Sequence, residues 1–278
     1  MLSVAIPDSS LAEESTLREK SIKAAMMART MAIFGVETVL IYRDVTGDYR
    51  RDGALLRLIL EFMDTPQYMR KRLYGRMKEL RYAGLLPPLK APHHKPYIRL
   101  DEVKVGDVRE GVVVKGKYVD VGLDKPVALE YADKAREGRR VSVIFTSPYP
   151  DLRCRIVSKD EIKGYWGYSV RYAGTLGDLL RSICKRKGES LTIVTSKLGR
   201  PVREIEHDIA DAKDILLIFG SPYRDVYEIA GNIDRDIDIG VDVDTVGYNF
   251  FPGQKVASVR LEEAILGCLA VVNYIRSR

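Results

Sequence analysis

A proline–glycine turn inside an apolar run, Pro252-Gly253, opens the stretch NFFPGQKVASVRLEEAILGCLAVV at residues 249–272. Proline fixes φ and glycine admits positive φ, so the backbone there can fold tightly and turn its N–H and C=O groups toward a ligand. A second glycine loop follows the apolar strand ILLIF, with Gly220 and then Ser221-Pro222. Loops after the carboxyl ends of strands are where open α/β sheets bind ligands, although a plain turn satisfies the same residues. A third candidate ends the strand pattern LTIVT, where the hydroxyls of Thr195 and Ser196 either meet a ligand or cap the next helix. Arg29 completes the set. On a helix it shares a face with Ala25, Met26, Ala32 and Ile33, and a buried guanidinium without a partner is strongly destabilising. Either it serves chemistry, or its stem lies along the core edge with the head in water. Glu262 and Glu263 stand early in the last helix, where the dipole favours carboxylates.

Other chemistries lack their residues. No G-x-G-x-x-G and no G-x-x-x-x-G-K-[ST] occurs, which argues against a dinucleotide-type fold and a P-loop. His93, His94 and His207 have no nearby cysteine, and Cys154, Cys184 and Cys268 have no ligand spacing, so no metal is expected and the thiols read as reduced and cytoplasmic. The stretch DRDIDIGVDVD is spaced somewhat like a calcium loop, but glycine falls one place late and Thr245 stands where a bidentate Glu is needed. Asp234, Asp236, Asp238, Asp242 and Asp244 share strand parity, which fits a solvated edge strand.

These residues need a scaffold, and strands alternating with helices supply it. A short strand at 2–6 ends at Pro7. Ser15 or Thr16 caps a helix to about Phe34, with apolar residues at helical spacing through Ile22, Met26 and Ile33; Gly35 stops it before the β-rich VETVLIY. A second helix is expected over 53–63 and a third over 66–84, beginning at Pro66 and ending at Gly84. The third carries Arg70, Lys71, Arg72, Arg76, Lys78 and Arg81 against one acid, Glu79, interleaved with Tyr68, Tyr74 and Tyr82. Cations with aromatics suit phosphate contact and base stacking, and equally suit a solvated face. The proline-rich LLPPLKAPHHKP makes a stiff connector. Beyond it, short β runs with glycine punctuation suggest a small barrel, a form that commonly binds single-stranded nucleic acid. Strand–helix alternation then returns with a helix at 175–187, a strand at 191–195, a helix at 201–211 and a strand at 215–219. The expected fold class is α/β: one discontinuous domain of residues 1–90 and 163–278, interrupted by a β-barrel at 91–162.

The totals bound the rest. A chain of 278 residues with 46% hydrophobic and 30% charged residues has ample core. No apolar run reaches the roughly 18 residues of a membrane helix, and the first fifteen residues lack a basic secretory leader. Lys and Arg number 45 against 39 Asp and Glu, a net +6 that favours a polyanionic partner, RNA first. Two Gln and three Asn beside abundant charge resemble a thermophile's composition.

Read in order, IPDS, ARTMAIFGV, FMDTPQYMRKRL, LLPPLKAPHH, YWGY, IFGSPY and PGQ…VRLEEA resemble the SPOUT superfamily of RNA methyltransferases, in its archaeal and eukaryotic branch with an OB-like insert. The resemblance covers nearly the whole chain. It implies a SPOUT-type trefoil-knotted parallel-sheet domain with an inserted OB-like barrel, a homodimer with sites completed across the interface, and bound S-adenosylmethionine. Mapped here, the cofactor loops are Thr195-Ser196, Gly220-Ser221, and Asn249, Phe250, Phe251, Pro252, Gly253 and Gln254 leading to Val256 and Ser258. By the same resemblance Arg29 matches the catalytic arginine of ribose-methylating members. VRLEEA is similar to the R-x-E-T-A of members that methylate uridine N3, with Glu263 in place of Thr. The implied substrate is an rRNA or tRNA nucleotide, methylated at uridine N3 or ribose 2′-O, with Arg70, Lys71, Arg72 and Arg76 contacting RNA. No histidine near these motifs offers a general base. A non-catalytic RNA-binding factor using the barrel and the basic helix is the alternative.

Overall fold

The computed structural model describes residues 1–131, 135–184, 190–230 and 247–277. The acidic run from Asp234 to Asp244 lies outside these residues. The chain forms two compact units. The first takes Met1–Glu61, Glu79–Pro88 and Tyr168–Arg278; the second takes Phe62–Lys78 and Leu89–Gly167.

In chain order the elements are β1 (Leu2–Pro7), α1 (Leu17–Ile33), β2 (Thr38–Arg43), α2 (Arg50–Asp64), α3 (Gln67–Tyr74), β3 (Val108–Val114), β4 (Tyr118–Asp120), β5 (Val127–Leu129), β6 (Arg140–Ser147) and β7 (Arg153–Val157). They continue with β8 (Ser169–Thr175), α4 (Leu176–Cys184), β9 (Ser190–Pro201), α5 (Glu206–Asp211), β10 (Asp214–Ile218), α6 (Val226–Ala230), β11 (Tyr248–Asn249) and α7 (Leu261–Arg276).

In the first unit six strands pair in the order β11-β9-β10-β1-β2-β8, every neighbour parallel. All of β1 is buried, as expected of a central strand whose two faces are covered. Thr16 and Glu19 cap α1 reciprocally: the Glu19 N–H reaches Thr16 Oγ1 at 3.2 Å, and Glu19 Oε2 accepts the Thr16 N–H at 3.0 Å. Ala24, Ala25, Met27, Ala28 and Met31 form the buried face of α1, and α1 packs against α7. The stripe legible in the sequence is the opposite one: Met26 and Ile33 are 49% and 62% exposed.

In the second unit β3-β4-β5-β7-β6 close on themselves, antiparallel except for β5 with β7. Val113, Val119, Val143 and Phe145 fill the interior.

The helix expected at 201–211 is α-helical only over Glu206–Asp211, after a 3-10 turn at Val202–Ile205, and two elements depart further from the sequence expectation. The third helix does not run to Gly84 but ends at Tyr74, because Gly75 takes φ +55° and its N–H closes back on the Lys71 carbonyl at 3.2 Å. Arg76, Lys78 and Arg81 therefore leave the face that Arg70 and Lys71 belong to. The strand expected at 191–195 runs on to Pro201, so Thr195 and Ser196 lie within it and not in a loop.

Candidate active site

β9 changes partner halfway along. It pairs with β10 as far as Val194↔Ile218 and with β11 from Arg200↔Tyr248. Between these registers the strands part, and a cleft of about 370 Å³ opens against the loop after β10, the segment after β11 and the start of α7. Its size is that of a small-molecule site, roughly 300–1,000 Å³.

Nine of the twelve cofactor-loop residues expected from the sequence line it. Thr195 and Ser196 do so as braces. Thr195 Oγ1 donates to the Ile218 carbonyl at 3.0 Å; Ser196 Oγ donates to the Asp225 carboxylate at 2.7 Å and accepts the Leu198 N–H at 3.1 Å. Gly220 and Ser221 form the second wall. The Ser221 N–H donates to the Arg224 carbonyl at 2.9 Å, and Ser221 Oγ accepts the Arg224 N–H at 2.9 Å. A Cβ on Gly220 would stand 2.6 Å from that carbonyl, so the turn's own backbone demands glycine.

Asn249 staples the third wall. Its Nδ2 donates to the Lys197 carbonyl at 2.9 Å, and its Oδ1 accepts the Phe251 N–H at 2.8 Å. Phe250 is buried, and Phe251 lies against α7 where Gly267 leaves room; a Cβ there would come within 2.3 Å of the ring. Gln254 and Ser258 complete the lining. Pro252, Gly253 and Val256 turn outside it, Val256 being 61% exposed. Gly253 has φ +81° with open space around it, so its conformation and not crowding selects glycine. Gly253→Val is expected to lower thermal stability by up to about 2 kcal/mol, the cost of a left-handed residue; an unshifted unfolding transition would show that the turn does not need glycine.

The sequence reading missed the charges in the cleft: Lys197, Arg224, Asp225 and Glu228. The signal for Arg224, Asp225 and Glu228 was a run of unlike charges directly after the IFGSPY turn. Arg29 stands apart from the lining. It is half-buried on α1, and its Nη1 donates to the Pro88 carbonyl.

Known proteins similar in sequence point to a family. The family described as "Putative RNA methyltransferase" matches residues 1–272. The chain belongs to this family. The 28S rRNA (uridine-N(3))-methyltransferase of Homo sapiens is 31% identical over 98% of this chain and 77% of its own length. Proteins of that name from Drosophila melanogaster and Mus musculus are each 29% identical over 98% of this chain, and over 61% and 76% of their own lengths.

In this RNA methyltransferase the VRLEEA motif does structural work at the start of α7. Glu263 accepts the Arg260 N–H at 2.9 Å as a cap. The Arg260 guanidinium meets Glu14, Glu13 at 3.3 Å and Glu262 at 3.2 Å. Lys23, buried on α1, pairs with Glu13 and with Glu262 at 3.2 Å; burial pulls its ammonium below the usual lysine value, with Glu262 opposing. Of the expected RNA-contacting cations, Arg70 is engaged locally, donating to the Thr65 carbonyl at 2.8 Å and lying over Phe62. Arg72 pairs with Asp120 at 3.0 Å, while Lys71 and Arg76 are exposed. Among the described residues no helix is long and apolar enough to cross a membrane, and no group of three or more His, Cys, Asp or Glu side chains is placed to hold a metal ion.

Proposed function

We propose that the chain methylates N3 of a uridine in ribosomal RNA, taking the methyl from S-adenosylmethionine bound in the β9–β10–β11 cleft. The observation that carries this reading is the convergence of three separate segments, at 195–198, 219–225 and 249–258, on one cleft in a chain of this family. The cleft fits the donor chemically. Phe250, Phe251 and Leu261 offer apolar surface for a purine, backbone amides of the third wall can read its edge, and charges of both signs stand at the polar end. When bound, the donor supplies an activated methyl group for in-line displacement, and the protein's part is to align the acceptor and exclude water. We read the chain's return through β11 to α7 as the SPOUT trefoil knot, and the closed barrel as OB-like.

Arg29 has the chemistry to stabilise the negative charge that develops on a uridine losing its N3 proton. It reaches a cleft in a homodimer. Arg29 sits between exposed Met26 and Ile33 on α1, and Leu266 and Tyr274 on the neighbouring α7 are 47% and 58% exposed. Burying these stripes against a second copy removes them from water and carries Arg29 toward the partner's site. Ile33→Glu places a charge in that face and is expected to give a monomer by sedimentation, with turnover lost and binding of S-adenosylhomocysteine kept; a variant that stays dimeric would place the interface elsewhere. Lys71, Arg76 and the barrel are the RNA-contacting surface in this account.

The test of the function is direct. Purified protein, ribosomal RNA and methyl-labelled donor should yield labelled N3-methyluridine on nucleoside digestion. Label in a ribose 2′-O-methyl nucleoside would overturn the choice of atom, and no label in RNA would overturn the reading.

A further inference from the structure

Arg224 is a cation in the cleft that has no carboxylate partner among the described residues. It belongs to no ion pair among the described residues, and its Nη1 donates instead to a neutral hydroxyl, Thr46 Oγ1. That hydroxyl is itself held: Thr46 Oγ1 donates to Asp44 Oδ1, and the Thr46 N–H reaches the same oxygen at 3.0 Å. Asp44 is buried and fixed in turn by Ser9 Oγ at 2.7 Å. The guanidinium is thus positioned through a hydroxyl, with no direct carboxylate contact among the described residues. Four of its five N–H groups remain outside that bond.

The next residue carries the opposite charge. Asp225 lines the same cleft, anchored by the 2.7 Å bond from Ser196. A positioned cation and a positioned anion on consecutive residues match one kind of ligand end: an α-amino acid zwitterion, whose carboxylate and ammonium leave the same carbon. A guanidinium already paired with a carboxylate would have to give up that partner to bind another.

On the reading that S-adenosylmethionine occupies the cleft, we infer that Arg224 binds the donor's α-carboxylate, with Asp225 facing its ammonium, and so selects cofactors that carry the amino-acid end. Two thioethers isolate this end. S-adenosylhomocysteine has it, and 5′-methylthioadenosine lacks it while keeping the nucleoside.

Calorimetry with both ligands on the full chain tests the inference. The native protein should prefer S-adenosylhomocysteine. Arg224→Gln should weaken that ligand about ten- to hundredfold, the range for loss of a charged hydrogen bond, and leave 5′-methylthioadenosine unchanged. Arg224→Lys, which keeps the charge without the planar fork, should fall between. Equal weakening of both ligands in both variants, or no change for S-adenosylhomocysteine, would overturn it. A native protein that binds the two ligands equally would also overturn it while leaving the donor reading intact. Binding of neither ligand would remove the donor reading and this inference together.

Discussion

Arg29→Ala should lower methyl-transfer turnover about 10²- to 10³-fold, the range for removing one electrostatic stabiliser of developing charge, while affinity for S-adenosylhomocysteine stays unchanged. The separation of effects follows from placement. Arg29 is absent from the cleft lining, and within the chain its guanidinium is held by the Pro88 carbonyl. A carbonyl contact on a half-buried stem gives little reason for an arginine in a stripe otherwise formed by Met26 and Ile33. The proposed role, charge brought to an acceptor, supplies that reason. Single-turnover kinetics beside calorimetry separate the two effects. Equal loss of turnover and cofactor affinity would make Arg29 a structural residue. Arg29→Lys restores charge but not the planar fork, so partial recovery is expected.

The second large effect lies in the barrel unit. Arg140→Ala should destabilise that unit by about 3–5 kcal/mol, the cost of stripping a buried ion pair of one partner. Arg140 Nη2 lies 2.9 Å from Asp64 Oδ2, and its Nε lies 2.7 Å from Glu110 Oε2. Both carboxylates are almost fully buried. Glu110 also accepts Trp166 Nε1–H at 2.6 Å and the Ser142 hydroxyl, so a lost guanidinium leaves a polar cluster with surplus negative charge. Trp166 is the chain's one tryptophan and reports this unit in urea unfolding. An unshifted midpoint in its fluorescence would show the cluster to be energetically idle.

The same cluster sets a pH dependence. Burial alone would raise the Asp64 carboxyl, but the hydrogen bond from His93 and the charge of Arg140 overcome it and hold Asp64 below the usual aspartate value. A depressed carboxyl stabilises the fold above its unfolded value. Its contribution is lost as pH falls from the ordinary carboxylate range through the lower folded value.

What the sequence disclosed depended on the range of the signal. Local signals worked: a cap at Ser15 or Thr16, of which the structure uses Thr16, the apolar strand of β1 and the turn at Gly220 are each written in a few adjacent residues. Gly75 was passed over within a long basic helix because glycine is tolerated in helices, and only its positive φ decides that the helix stops there. Periodicity showed α1 as a helix but not which side faces inward, since small Ala24, Ala25 and Ala28 bury against α7 while larger Met26 and Ile33 point out. The roles of Ser196 and Arg224 depend on contacts with Asp225 and Thr46, made when β9 and β10 part and β2 lies nearby. No spacing in a single segment encodes them.

A crystal of the protein grown with S-adenosylhomocysteine tests the central claim most directly. The account predicts its adenosine between Gly220 and the Asn249–Phe251 wall, with the amino-acid end toward Arg224. Density for the ligand anywhere else, or a cleft filled by the protein's own side chains in its presence, would contradict it.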